Sequence, residues 1–166
     1  MDFLKQYDAR GAAETARPLE LRDQTTGEVI ENNGKPCIVM VKGASSRAVQ
    51  AELRRDELER AKKAKAAAKT GTQVDTNTAQ DMHEATVKAA LRLIVGFGNM
   101  QTTGEDGKAR DLTVEDAPAL LDLNFISMAH LMREKDPEHW TKPSFAQQVL
   151  DFAQDDADFL AASTKP

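Results

Sequence analysis

One run constrains this chain more than any other: SSRAVQAELRRDELERAKKAKAAAK, residues 45–69. Ala, Glu, Lys and Arg dominate it, and all four are strong helix formers. Ser45 or Ser46 supplies an N-cap side chain to accept from an orphan amide. Asp56–Arg60 and Glu59–Lys63 stand at i,i+4 with the acid first, the favourable order. A helix of this length ordinarily carries a broad apolar stripe. Here the only large apolar residues are Val49, Leu53 and Leu58. The helix surface must stay mostly wet, or be kept for a partner. Leu53–Lys69 holds seven basic residues and three acidic ones, in a chain of net charge −5. The run reads either as a solvated face or as a docking surface.

Before this helix the pattern is that of strands. Pro18 to Asp23 alternates apolar and polar residues, and Ile38–Val41 is a short β-branched run. Between them lie Thr26-Gly27 and Asn33-Gly34. Asn-Gly is the stronger type I′ signal, which leaves Thr26-Gly27 as a kink or outer turn. After the helix, Gly71 and a Thr- and Asn-rich stretch read as a linker. Thr78 then caps a helix whose apolar residues, Met82 through Leu93 and Ile94 to Phe97, recur at helical spacing; Gly96 and Gly98 end it. Asp116 with Pro118 starts another helix, with Leu120, Leu121, Phe125, Met128, Leu131 and Met132 on its face. Ser144 caps a last one carrying Phe145, Val149 and Phe152.

The expected class is α+β, mainly α: a small N-terminal antiparallel β-unit followed by a bundle of about four helices in one domain. The expected segments are an extension at 1–17, the β-unit at 18–43, the long basic helix at 45–69, a linker at 70–78 and a helical part at 79–163.

QTTGE occurs twice, at Gln24–Glu28 and Gln101–Glu105, each soon followed by Gly-Lys. The flanks of the two copies differ, which argues against duplication. Neither is a P-loop: Lys35 is followed by Pro36 and Lys108 by Ala109, where a metal-binding hydroxyl would be needed. Both read as turns in which Thr hydroxyls bond the local backbone and Gly supplies positive φ. His83, His130 and His139 lack metal-ligand spacing, with His83 and His130 on polar helix flanks. Cys37, the only cysteine, reads as a small core residue. The acids near the C-terminal end lack the EF-hand pattern. Catalytic residues, metal ligands and cofactors are therefore expected to be none. The net negative charge disfavours a general nucleic-acid binder, no apolar run reaches the length of a membrane span, and MDFLKQYDAR has no apolar h-region of a secretory signal.

Several of these pieces, in this order, resemble the tail assembly chaperones of long-tailed, siphovirus-type bacteriophages. They are the Thr-Gly-Glu turn at Thr26–Glu28, the Val41-x-Gly43-x-x-Ser46 lead into a helix, and Leu93, Ile94, Gly96 and Phe97. Asp106-Gly107-Lys108 and the helix start at Glu115, Asp116, Ala117, Leu120 and Leu121 complete the set. The resemblance covers roughly residues 18–135. Phe97 stands where that family usually has Trp, and the KKAKAAAK stretch looks long. The resemblance implies a non-enzymatic protein of the bacterial host cytoplasm, absent from the mature virion. It would bind the helical tape-measure protein and help recruit tail-tube subunits, without nucleic acid or membrane; self-association is left open. The competing expectation is a structural virion protein, a tail or head-completion subunit. Candidate partner-binding residues are Val49, Leu53, Leu58, Phe97, Met128 and Met132; the same apolar faces also have the protein's own core to fill.

Overall fold

The computed structural model describes residues 8–24, 26–71, 79–123 and 143–155. The fold is α+β and mainly α. A short helix α1 (Ala9–Glu14) precedes strands β1 (Arg17–Glu20), β2 (Glu31–Asn32), β3 (Lys35–Pro36) and β4 (Ile38–Val41). Helices α2 (Arg47–Thr70) and α3 (Ala79–Leu91) follow, then β5 (Ile94–Gly98) and a hairpin of β6 (Gln101–Thr103) and β7 (Ala109–Asp111). A 3-10 turn at Val114–Asp116 leads into α4 (Ala117–Asp122), and α5 is Phe145–Gln154.

The central sheet is antiparallel, ordered β1-β4-β5. On β4, Val39 and Val41 are fully buried while Ile38 and Met40 are half-buried, the alternation a pleated strand imposes. Both turns in the N-terminal unit form. Asn33 and Gly34 take positive φ (55° and 70°) in the tight β2–β3 hairpin, as a type I′ turn requires. Thr26-Gly27 is the outer turn, closed by the Arg22–Val29 bridge and by Asp23 Oδ1, which accepts the Thr26 amide at 2.8 Å.

Two expectations need correction. The helix over Met82 to Phe97 stops at Leu91, and Ile94–Gly98 instead pairs with β4 as the third strand. Two β-branched residues and two glycines make IVGFG a poor helix, and the free edge of β4 gives it hydrogen-bond partners. The segment 79–163 is thus not purely helical, and the sheet is not confined to the N-terminal unit. The second QTTGE is not a turn of the first kind either. Gln101–Thr103 is strand, and the positive φ of that hairpin falls on Gly107 (76°), not Gly104.

The core lies where α3, α4 and α5 meet the sheet. Ala90, Leu93, Ala117, Leu121, Ala146 and Val149 pack with Leu21, Val39 and Val41. Small residues let the helices approach closely, and larger ones fill the rest. Gln148, buried on α5, fastens the two ends of the described chain together. Its Nε2 donates to the Arg22 carbonyl and its Oε1 accepts the Arg22 amide, both at 2.9 Å; Nε2 also donates to the Pro143 carbonyl. Ser144 caps α5 by accepting the Gln147 amide. Asp116 fixes the start of α4: its carboxylate accepts the Thr113 amide at 2.8 Å and a two-pronged contact from Arg110 at 2.6 and 2.7 Å. The Thr78 cap, Phe125, Leu131, His130, His139 and the stretch beyond Asp155 lie outside the described residues.

Leu121 is fully buried, whereas Leu53 remains about a third exposed. Leu121→Ala is expected to cost about 2–5 kcal/mol in denaturant unfolding, and Leu53→Ala well under that. The Arg110 guanidinium, with help from the Thr113 amide, holds the Asp116 carboxyl far below the usual carboxylate range. A depressed folded value means that Asp116 stabilises fully above about pH 4, the unfolded value, and that the contribution fades as pH falls toward the folded one. Asp116→Asn is therefore expected to flatten the loss of thermal stability on acidification below about pH 4, with little change in slope above it.

Candidate partner-binding surface

The long helix α2 is held at one end. Ser46, fully buried, caps it by accepting the Val49 amide. Just before it, the Gly43 amide donates to the Ala13 carbonyl at 3.0 Å, and the Arg47 amide donates to Glu14 Oε1 at 2.6 Å, so α1 seats its first turn. Further along α2, over its second and third turns, Arg92 completes the attachment. Its guanidinium contacts Asp56 and stands 3.6 Å from Glu52, and Lys88 Nζ lies 3.6 Å from the same Asp56. Hydrogen bonding from Arg92 keeps the Asp56 carboxyl below its ordinary value, against a smaller opposing effect of desolvation. Exposed ion pairs each contribute little. Arg92 differs in being only 13% exposed and shared between two acids.

These contacts replace the expected intrahelical ones. Asp56 turns toward Arg92 and Lys88 rather than Arg60, and Glu59–Lys63 does not reach ion-pair distance. Beyond Asp56 every α2 residue is exposed except Ala67, which is half-buried. Val49 is the one buried residue of the whole 24-residue helix. Gly71, in the left-handed conformation at φ 67°, ends it.

Of the six residues expected to meet a partner, the four that are described do not form one surface. Val49 belongs to the core and is not available for contact in this fold. Leu53 lies on the same side of α2 and is 36% exposed. Leu58 is 64% exposed and, nine residues after Val49, points roughly 180° away from it. Phe97 is on β5 opposite Val39, half-buried against the core. Met128 and Met132 lie outside the described residues. The other exposed large apolar residues among those described are Met82, Val95, Val114 and Leu123, scattered over separate elements. Arg92 is the residue that sequence reasoning missed. Its signal was a lone cation inside the apolar run ALRLIV.

Among the described residues, Cys37 and His83 are tied up in the fold. Burial raises the Cys37 thiol above its ordinary value, which keeps it protonated and weakly nucleophilic. Its Sγ donates to the Asn99 carbonyl at 3.5 Å. Asn99, at φ 55°, also donates from Nδ2 to the carbonyls of Asn32 and Lys35, pinning the β2–β3 hairpin to the end of β5. A cavity of about 530 Å³ opens beside them, lined in part by Met100, Leu112 and Leu120. His83 is not on a polar flank as expected. It is buried between α3 and α4, with Nε2 2.8 Å from Asp122 Oδ1, at the edge of a groove of about 470 Å³. Among the described residues no three His, Cys, Asp or Glu side chains are grouped to hold a metal ion. Nor is any described helix long and apolar enough to cross a membrane.

No protein-family model, curated protein or solved structure matches this chain. The surface must therefore be judged on its own geometry, which is that of a helix anchored over its first three turns and, among the described residues, open along the rest.

Hydrogen exchange checks this anchoring. Amides of residues 57–70 are expected to exchange faster than those of 50–56, because tertiary contacts and not propensity stabilise most helices. Arg92→Ala should extend fast exchange back toward Val49 without the stability loss of a core truncation.

Proposed function

We propose that this protein is a phage tail assembly chaperone, a non-enzymatic binder of the tape-measure protein that also helps bring tail-tube subunits to it. The observation that carries the reading is α2, a 24-residue helix with one buried residue. A helix so placed is a poor investment for stability alone, since each ordered residue costs conformational entropy that little burial offsets. It makes physical sense as a surface kept for another helix. The ordered motifs that resemble the chaperone family support the same reading, and they sit at fold-determining positions. Val41 is core, Gly43 and Ser46 set α2 on its seat, and Asp116, Ala117 and Leu121 start and bury α4.

An assembly factor has to leave its client. That calls for modest, reversible contacts rather than the large apolar interfaces of permanent subunits, which tend to exceed roughly 2,000 Å². Among the described residues the exposed large apolar side chains are scattered singly and do not make a large patch. In this reading the protein works in the host cytoplasm and is left out of the finished particle.

Co-expression with the tape-measure protein encoded by the same phage is the test. The chain is expected to keep that protein soluble and to co-purify with it, and peptide mass spectrometry of purified virions should not recover this chain. Recovery at a fixed copy number per particle would reject the chaperone in favour of a structural virion subunit.

A further inference from the structure

The cations of α2 are not spread around it. At roughly 100° per residue, Arg54, Arg55, Lys62, Lys65 and Lys69 all fall within about 60° of the direction pointing away from Val49 and the body. Leu58 lies at the centre of this stripe, and every residue in it is exposed. No acid interrupts it. Asp56 and Glu52 turn toward Arg92 on the inner side, while Glu57 and Glu59 fall on the two flanks, each roughly 100° from the centre. From Arg54 to Lys69 the stripe runs about 22 Å.

Within this stripe the helix works against itself. Lys62–Lys65 and Lys65–Lys69 stand at i,i+3 and i,i+4, the spacings at which like charges destabilise a helix. None of the five cations makes an ion pair with another described residue. An anionic partner laid along the stripe would relieve that repulsion, which a merely solvating face would have avoided by interleaving Glu.

We propose that the outward face of α2 is a docking surface for an acidic helix of a partner protein, one with Asp or Glu at three- and four-residue steps and an apolar side chain over Leu58. Two other polyanions fit less well. A nucleic-acid groove wraps a helix on several sides, so Glu57 and Glu59 on the flanks would meet phosphates, and the chain as a whole carries −5. An anionic membrane needs an apolar face to insert, and Leu58 is the only large apolar residue of the stripe. A second helix touches one side only. It avoids both flanking acids, pairs with the cations and covers Leu58. The surface would act in this way on a tape-measure protein or on any other client.

The test uses the full chain, with fluorescence anisotropy against three labelled probes at low and at physiological salt. They are a synthetic helical peptide with Glu and a central Leu on one face, a short duplex DNA, and vesicles containing phosphatidylserine. The peptide is expected to bind most tightly and to weaken with salt. The triple variant Lys62→Glu, Lys65→Glu, Lys69→Glu should lose roughly tenfold or more in affinity at nearly unchanged melting temperature, since these side chains are exposed and make no ion pair with another described residue. Leu58→Ala should weaken the peptide several-fold. The inference is overturned if the peptide does not bind at low salt, if the charge-reversed chain binds it equally well, or if DNA or vesicles bind more tightly than the peptide.

Discussion

Strand β4 uses both of its edges and one of its faces, and everything else is arranged around it. β1 pairs along one edge, β5 along the other, and Val39 and Val41 point into the helices. A four-residue strand can hold this position only if each group on it is satisfied. The β4–β5 register is irregular between Met40 and Val41, where the strand bends into the turn that carries Gly43. That bend brings Ala44 under α5, whose Ala153 carbonyl accepts its amide, and aims the chain at the cap of α2. The direction in which the long helix leaves the body is thus set by a few backbone groups at the end of β4.

The contacts that close the structure are mostly distant in sequence. Gln148 joins α5 to the backbone of Arg22, and Asn99 joins β5 to the β2–β3 hairpin. Both are amide side chains acting as extra backbone where two segments meet with no ladder between them: Gln148 supplies a donor and an acceptor, Asn99 its Nδ2 donor. Each such pairing closes a long loop, whose entropy it must offset. The ion pairs of Arg92 play the corresponding part for α2, at the surface and with a weaker grip.

Local chemistry in the sequence revealed what is local in the fold. The Asn33-Gly34 turn, the Ser46 and Ser144 caps, the start at Asp116 and the stop at Gly71 follow from backbone preferences that act within a few residues. The thin face of α2 was equally legible, since three large apolar residues cannot bury a long helix. What escaped depends on partners far along the chain. Ile94 to Phe97 continue a helical spacing, and only the open edge of β4 turns them into strand. His83 looks like a polar flank until Asp122 is brought to it. Val49 and Leu58 read as one stripe because sparse apolar residues suggest a line wherever they occur; the angle between them shows two opposite sides.

The chain leaves the sheet at Val41 and returns to it at Ile94, paired with the same residue it left from. All of α2 and α3 is therefore an excursion between two neighbouring points. The open half of α2 touches little of the described body, so its length is little constrained by it. Adding or removing whole turns there would move the tip by about 5.4 Å each. Even doubling the excursion would add only about 0.6 kcal/mol of closure entropy. The body acts as a fixed mount and α2 as a boom whose reach can change by whole turns without any residue of the core being changed.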